Sequence, residues 1–166
     1  MNQPGATVFY TELESPIGTL LVTSNGEAIT GLHMEQQATR PVIGEHWVRD
    51  DQRLDNARSQ LMAYFEGQLQ QFDLPLAGAG SPFQQQVWQA LREIPFGHTE
   101  TYGELARRIG NEKASRAVGL ANGRNPIGII VPCHRVIGAN SALTGYAGGI
   151  ERKKWLLAHE QAHMGR

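Results

Sequence analysis

The chain has 166 residues, 40% of them hydrophobic and 19% charged, with five Phe, three Trp and four Tyr. That is apolar surface enough for one domain or two small ones, and too much for a disordered chain. The longest apolar run, Ile127–Val131, falls far short of the roughly 18 residues of a membrane span. Met1–Ala6 has neither the basic nor the apolar block of a secretory signal, and one cysteine excludes an internal disulfide or a multi-cysteine zinc site, so a cytoplasmic protein is expected. The net charge of −1 conceals an asymmetry: residues 1–80 carry four Arg against ten acidic residues, and residues 81–166 carry eleven Lys and Arg against six. Such a division hints at a polyanion bound by the basic half.

In chain order, Val8–Thr11, Gly18–Thr23 and Ala28–His33 alternate like strands, broken at Ser15-Pro16 and at Asn25-Gly26, a strong hairpin-turn signal because both positions tolerate positive φ. A polar stretch follows. A helix is predicted from Asp51 to Leu69, with Leu54, Ala57, Leu61, Tyr64 and Phe65 on one stripe. Leu74–Gly80 reads as a linker, which sets the expected domains at 1–80 and 81–166. Ser81, Pro82 and Gln84 then form a capping box with proline at the first helical position, opening a helix Pro82–Ile94 that buries Phe83, Val87, Trp88 and Leu91. Thr101 and Glu104 form a second box, starting a short helix through Ile109. After Gly110-Asn111 a third helix runs from Lys113 to Asn122, with a small inner face of Ala114, Ala117, Val118 and Ala121. Two short helices joined by a glycine-containing turn make a helix-turn-helix candidate, with a simple helical hairpin as the alternative. Ile127–Val131 is predicted as a buried strand from its β-branched content. A glycine-rich loop ends in Gly145–Gly149, and a final helix spans Ile150 to His163.

Cys133 is the only thiol. At an ordinary pKa of ~8.5 only about 3% is thiolate at pH 7, and the thiolate is the nucleophile. An adjacent base would raise that fraction, but neighbours on a strand point oppositely. Contact between Cys133 and His134 therefore requires a tight turn or a bridging water. Glu160 on the last helix could orient His134 and complete a nucleophile–base–carboxylate relay. A rival pattern overlaps it: His159-Glu160-Gln161-Ala162-His163 matches H-E-x-x-H, the zincin motif, although the sequence leaves no room for a third ligand downstream.

Val131-Pro-Cys-His-Arg-Val136, with Ser115-Arg-Ala-Val-Gly119, Asn125-Pro126, Gly145-Tyr-Ala-Gly-Gly149 and Trp155-Leu-Leu-Ala-His-Glu160, resembles the O6-alkylguanine-DNA alkyltransferases, the methylated-DNA–protein-cysteine methyltransferases. The likeness covers residues 81–163. The first eighty residues resemble the family's N-terminal domain in size and strand-then-helix order. The resemblance implies an α/β (α+β) fold: an N-terminal ribonuclease H-like α/β domain and a mostly helical C-terminal domain with a helix-turn-helix. It implies a monomer that binds double-stranded DNA through the minor groove, flips an O6-alkylguanine out of the stack and moves the alkyl group irreversibly to its own cysteine, without a cofactor.

By the same resemblance Cys133 is the acceptor, His134 withdraws its proton through a water, and Glu160 holds the imidazole. Tyr102 donates a proton toward the leaving guanine and crowds the phosphate. Asn125 ties the turn after the recognition helix to the cysteine segment. Arg116 fills the gap left by the extruded base, and Asn111 contacts phosphate. Val136, Tyr146, Ala147 and Gly148 line the substrate pocket; the carbonyls of Cys133 and Val136 read the guanine amine, while Gly148 and Gly149 leave space for the base. Two positions depart from relatives: Ala147 where some carry serine, and Gly128 where some carry proline, which implies an altered tolerance for bulky benzyl-type substrates. Some relatives hold a structural zinc through N-terminal cysteines; with no cysteine before Cys133, no metal is expected. A lesion-sensing module that lacks the cysteine, a zinc peptidase and a thiol hydrolase are the competing classes.

Overall fold

The computed structural model describes residues 7–143 and 145–164; Met1–Ala6, read above for a secretory signal, lie outside the described residues. The alternating first segment forms an antiparallel meander of β1 (Phe9–Ser15), β2 (Gly18–Ser24) and β3 (Ile29–Met34). A two-residue strand that the sequence does not reveal, β4 (Val48–Arg49), adds parallel to β1, giving the order β3-β2-β1-β4. At the Asn25-Gly26 turn the Asn25 carboxamide oxygen accepts from the amides of Glu27 and Ala28 (2.9 Å each), and Gly26 takes φ +101°. The predicted helix is shorter, α1 (Asp55–Phe65), because Asp51–Leu54 forms turns ahead of it. It buries Ala57, Leu61 and Tyr64, while Leu54 is buried from the preceding turn.

Leu74–Gly80 is more than a linker. Ile29 donates to Pro75 O and Ala77 to Ile29 O (2.8 Å each), and further along the same strand Leu32 donates to Pro126 O (2.9 Å) while Gly128 donates to Leu32 O (3.2 Å). The open edge of β3, which would otherwise present unpaired backbone groups, is thus occupied by two segments of the chain, the second lying just ahead of Cys133.

The second half contains α2 (Pro82–Leu91), β5 (Glu100–Thr101), α3 (Tyr102–Arg108), α4 (Ser115–Gly123), β6 (Val136–Ile137) and α5 (Ile150–Ala162). Both predicted capping boxes form, Ser81 with Gln84 and Thr101 with Glu104. Gly110 (φ +84°) and a 3-10 turn at Glu112–Ala114 join α3 to α4. The Trp88 indole donates to Ala121 O (2.8 Å) and fixes α2 on α4. β5 and β6 pair in parallel, Glu100 opposite Val136 and Thr101 opposite Ile137. Residues of both halves, among them Leu20, Val22, Leu32, Met34, Leu61, Val87, Leu91, Val118, Val136 and Leu156, share one core.

Two expectations are corrected. Ile127–Val131 is not a strand: apart from one bridge between Ile127 and Leu32 it coils through tight turns, with Ile130 bonded to Gly128 O (2.8 Å) and Val131 to Ile127 O (3.0 Å). Ile129 lies at φ +69°, a conformation that is an outlier for a β-branched residue. The apolar content of that run reports burial, and burial alone does not specify extension. On α4, Val118 and Ala121 face inward as expected, but Ala117 is exposed; the inward row is Val118, Ala121 and Asn122.

Candidate active site

Pro132 leads into a 3-10 turn, Cys133–Arg135, which passes directly into β6. This is the tight turn that the side chains of Cys133 and His134 need if they are to lie on one side. Two asparagines hold the turn. Asn125 donates to Val131 O (2.8 Å) and accepts from Ile127 N (3.0 Å), while Asn122, from α4, donates to Cys133 O (3.3 Å). Lys153, fully buried on α5, donates to Val136 O (2.6 Å). The two carbonyls expected to read a guanine amine therefore already carry one donor each; a carbonyl has two lone pairs and can accept another.

Cys133 is 5% exposed. Burial pushes its thiol up from the ordinary value, opposed by a hydrogen bond from Asn125 and by the Lys153 charge. The resting sulfur is a thiol, and a base must act on it.

An imidazole follows it in the sequence. The His134 ring is wholly buried, with Nε2 2.7 Å from Glu160 Oε2. Burial, with smaller contributions from Arg135 and Lys153, outweighs Glu160 and lowers the His134 pKa, so the imidazole is neutral at pH 7. Facing an ionised carboxylate, Nε2 carries the hydrogen, which leaves the Nδ1 lone pair, buried and without a hydrogen-bond partner among the described residues, able to accept a proton.

Glu160 is itself fully buried. Burial would raise its pKa, but His134 and Arg135 hold it well below the usual carboxylate range. Arg135 donates from Nε to Oε1 (2.8 Å) and from Nη2 to Oε2 (3.0 Å), and from Nη1 to Ile94 O (2.7 Å). Tyr64 Oη, from α1, donates to Oε2 (2.6 Å), and Gly97 N reaches Oε1 (3.4 Å). Arg135, Tyr64, Asn122 and Lys153 were missed from sequence. Only Arg135 carried a signal, as part of the Pro-Cys-His-Arg run.

The H-E-x-x-H residues do not converge. His159 Nε2 bonds Tyr64 O (2.7 Å), His163 Nδ1 bonds His159 O (2.8 Å), and Glu160 is bonded to His134, Arg135 and Tyr64. Among the described residues no group of three or more His, Cys, Asp or Glu is arranged to hold a metal ion.

The β5–β6 pairing carries the helix-turn-helix to the thiol. Thr101, paired with Ile137, is the N-cap of α3, and Tyr102 is its first residue. The half-buried Tyr102 ring lies against α4 where Gly119 has no side chain: a Cβ there would sit 3.7 Å from Tyr102 Cδ1. Arg116, Ala117, Leu120, Gly123 and Arg124 form the exposed face of α4, and Asn111 is exposed at the turn before it.

On the other side, Tyr146 is half-buried, with its hydroxyl enclosed and lacking a hydrogen-bond partner among the described residues; burial, then the neighbouring Cys133, pushes its pKa well up. Ala147 is exposed. Gly148 does not leave open room for a base, because a Cβ there would collide with Met34 Sδ and the Tyr146 ring; the open space lies at Gly149. Gly148 instead allows β3 and the loop to meet closely. Among the described residues, a surface cleft of about 770 Å³ and several smaller ones are walled by residues other than Cys133, Tyr102 and Tyr146.

Residues 82–162 match the family described as 6-O-methylguanine DNA methyltransferase, DNA binding domain, and residues 8–77 match 6-O-methylguanine DNA methyltransferase, ribonuclease-like domain. The likeness thus extends through the first half, where the residues alone offered only size and element order. The chain is 51% identical over 153 residues to the methylated-DNA–protein-cysteine methyltransferase of Methanosarcina acetivorans, covering 92% of this chain and 98% of that one. It is 51% identical over 155 residues to the protein of the same name from Mycobacterium tuberculosis, covering 93% of each. The crystal structure of Mycobacterium tuberculosis OGT in complex with DNA superposes with a TM-score of 0.89 at 51% identity, over 93% of this chain and 94% of that chain.

Proposed function

The chain belongs to the methylated-DNA–protein-cysteine methyltransferase family, and from that premise we propose that it repairs double-stranded DNA by taking the alkyl group of an O6-alkylguanine onto Cys133. His134 Nδ1 removes the Cys133 proton through a water. The thiolate attacks the saturated alkyl carbon, the S–C bond forming as the bond from carbon to the guanine oxygen breaks. Tyr102 delivers a proton to the departing guanine and recovers one from solvent. Glu160, kept ionised by Arg135, stabilises the imidazolium formed in between. Nucleophile and electrophilic carbon come from protein and substrate, so the step needs no cofactor. The thioether is too stable to hydrolyse, so each molecule acts once.

DNA docks on the exposed face of α4, where Ala117 and Gly123 allow close approach in the minor groove. Flipping the base costs a few kcal/mol, and Arg116 inserted into the vacated position offsets part of it; Asn111 contacts phosphate. Asn125 and Asn122 connect α4 to the cysteine turn. Val136, Tyr146 and Ala147 border the base, with only the backbone N–H of Ala147 offered where some relatives have a serine hydroxyl. Gly128 donates to Leu32 O, a bond that proline cannot make, and this difference alters tolerance for benzyl-type substrates. The protein works as a cytoplasmic monomer with units at 1–80 and 81–166; among the described residues no helix is long and apolar enough to cross a membrane.

The observation that carries this reading is the lone buried thiol one residue from an imidazole locked to a buried carboxylate, on a turn that β5–β6 pairing joins to α3. Incubation with duplex DNA containing O6-methylguanine should add the mass of one methyl group to the peptide bearing Cys133, with repair stopping at one equivalent. The Cys133→Ala variant should keep its DNA affinity and lose transfer. Continuous turnover, or an unmodified Cys133 after repair, overturns the proposal.

A further inference from the structure

Glu160 Oε2 receives three donors: Tyr64 Oη at 2.6 Å, His134 Nε2 at 2.7 Å and Arg135 Nη2 at 3.0 Å. Two of them come from the cysteine turn. The third comes from α1, 96 residues away in sequence. Tyr64 is fully buried, and its ring is enclosed by Phe65, Phe72, Phe96 and His159 at centroid distances of 5.2, 5.5, 6.1 and 5.2 Å. Such a cage would accept phenylalanine equally well, and a buried tyrosine hydroxyl demands a partner. Here that partner is the oxygen that also holds the base. The Tyr64 carbonyl in turn accepts from His159 Nε2 (2.7 Å), so the end of α1 is tied to α5 on both sides of the ring.

We infer that Tyr64 is a positioning residue of the transfer: its hydroxyl holds Glu160 Oε2 in place and withdraws charge from it, and thereby sets how readily His134 accepts the Cys133 proton. This rests on the function proposed above. A carboxylate oxygen that shares its charge among three donors attracts a cation less than one that serves two. Loss of the hydroxyl therefore favours the imidazolium, which cannot act as a base. The groups facing His134 are Glu160 and Lys153 from α5 and Arg135 from its own turn; those facing Tyr64 are Glu160, Arg135 and Tyr146. In Tyr64→Phe only the hydroxyl is removed from this set.

The test follows methyl transfer from O6-methylguanine DNA between about pH 5.5 and about pH 9, and titrates the His134 imidazole by NMR in unreacted protein. In Tyr64→Phe the His134 midpoint and the acid limb of the rate profile should rise together by about half a unit, giving roughly threefold slower transfer below the midpoint and an unchanged plateau above it. A fluorinated tyrosine at position 64, a stronger donor of nearly the same shape, should move both the opposite way and needs no loss of packing. A uniform rate loss with an unmoved His134 midpoint, or no response to fluorination, overturns the inference. The NMR titration requires no alkyl transfer, so it decides the role of Tyr64 even if Cys133 proves not to be the acceptor.

Discussion

The thiol of Cys133 gains little from its resting surroundings, since burial raises its pKa; in the proposed reaction its activation falls to the neutral His134 that follows it. Neutrality at that position has a consequence for stability. A histidine whose folded pKa lies below the ordinary 6.5 contributes its full share above that value, and stability falls with pH below it as the unfolded chain takes up the proton first. His33 on β3, lowered by burial and by Arg40, acts in the same direction. Glu160 has the opposite chemistry and the same sign: its folded pKa is depressed, so its contribution is present above the ordinary carboxylate value of 4.5 and is lost as pH falls below it. The melting temperature should therefore decline from neutral pH in two stages, one below about 6.5 from the histidines and one below about 4.5 from the carboxylate; a flat profile between those values would show that His134 is not buried in its neutral form.

Arg135 is the counter-charge in this cluster. Arg135→Met would leave Glu160 buried without it, and should cost about 3–5 kcal/mol in urea denaturation, more than expected for removing an exposed arginine. Cys133 and His134 were legible because they fall in one short run, whereas Glu160, 26 residues from His134, was reached through the likeness of residues 155–160 to the family. The bonds from Tyr64 and Arg135 to Glu160 span 96 and 25 residues, and no periodicity links positions that far apart.

Elements with chemical punctuation were the legible ones. Ser81 and Thr101 announce α2 and α3 because a hydroxyl three residues before Gln or Glu can satisfy the first amides of a helix, and both boxes form. They also allow stability to be separated from function. Ser81→Ala and Thr101→Ala should each cost about 1 kcal/mol by denaturation. Thr101 lies in β5 opposite Ile137 and immediately precedes Tyr102, so only its loss should also slow single-turnover transfer. Equal transfer rates in the two variants would mean that the start of α3 does not position Tyr102 for its proposed role. Elsewhere the sequence carried less. β4 is two residues long and pairs through its backbone, which leaves no side-chain signature. The run Ile127–Val131 has the composition of a strand, but a single glycine and the Asn125 side chain, whose oxygen captures Ile127 N, let it turn instead.

At the scale of the whole molecule, several cations of the second half are engaged within the fold. Arg135 and Lys153 are buried in the site, Arg108 is bound to Glu93 and Glu100, and Arg152 is bonded to the carbonyls of Ile17, Glu35 and Gly148. Among the described residues, the exposed cations around α3 and α4 besides Arg108 are Arg107, Lys113, Arg116 and Arg124, and their roles can be told apart. A side chain that only neutralises phosphate weakens binding to any duplex and lowers the salt dependence of affinity by about one counterion. A side chain that replaces the flipped base acts on repair beyond its share of affinity. Arg124→Ala should therefore reduce the salt slope by about 1 while leaving transfer at saturating DNA unchanged. Arg116→Ala should slow transfer from duplex DNA even at saturation and leave reaction with the free alkylated base almost untouched, because the free base has no stack to leave. If Arg116→Ala impairs the duplex and the free base equally, the arginine supports the cysteine turn through α4, and the energy for extrusion must come from Tyr102 and the phosphate contacts instead.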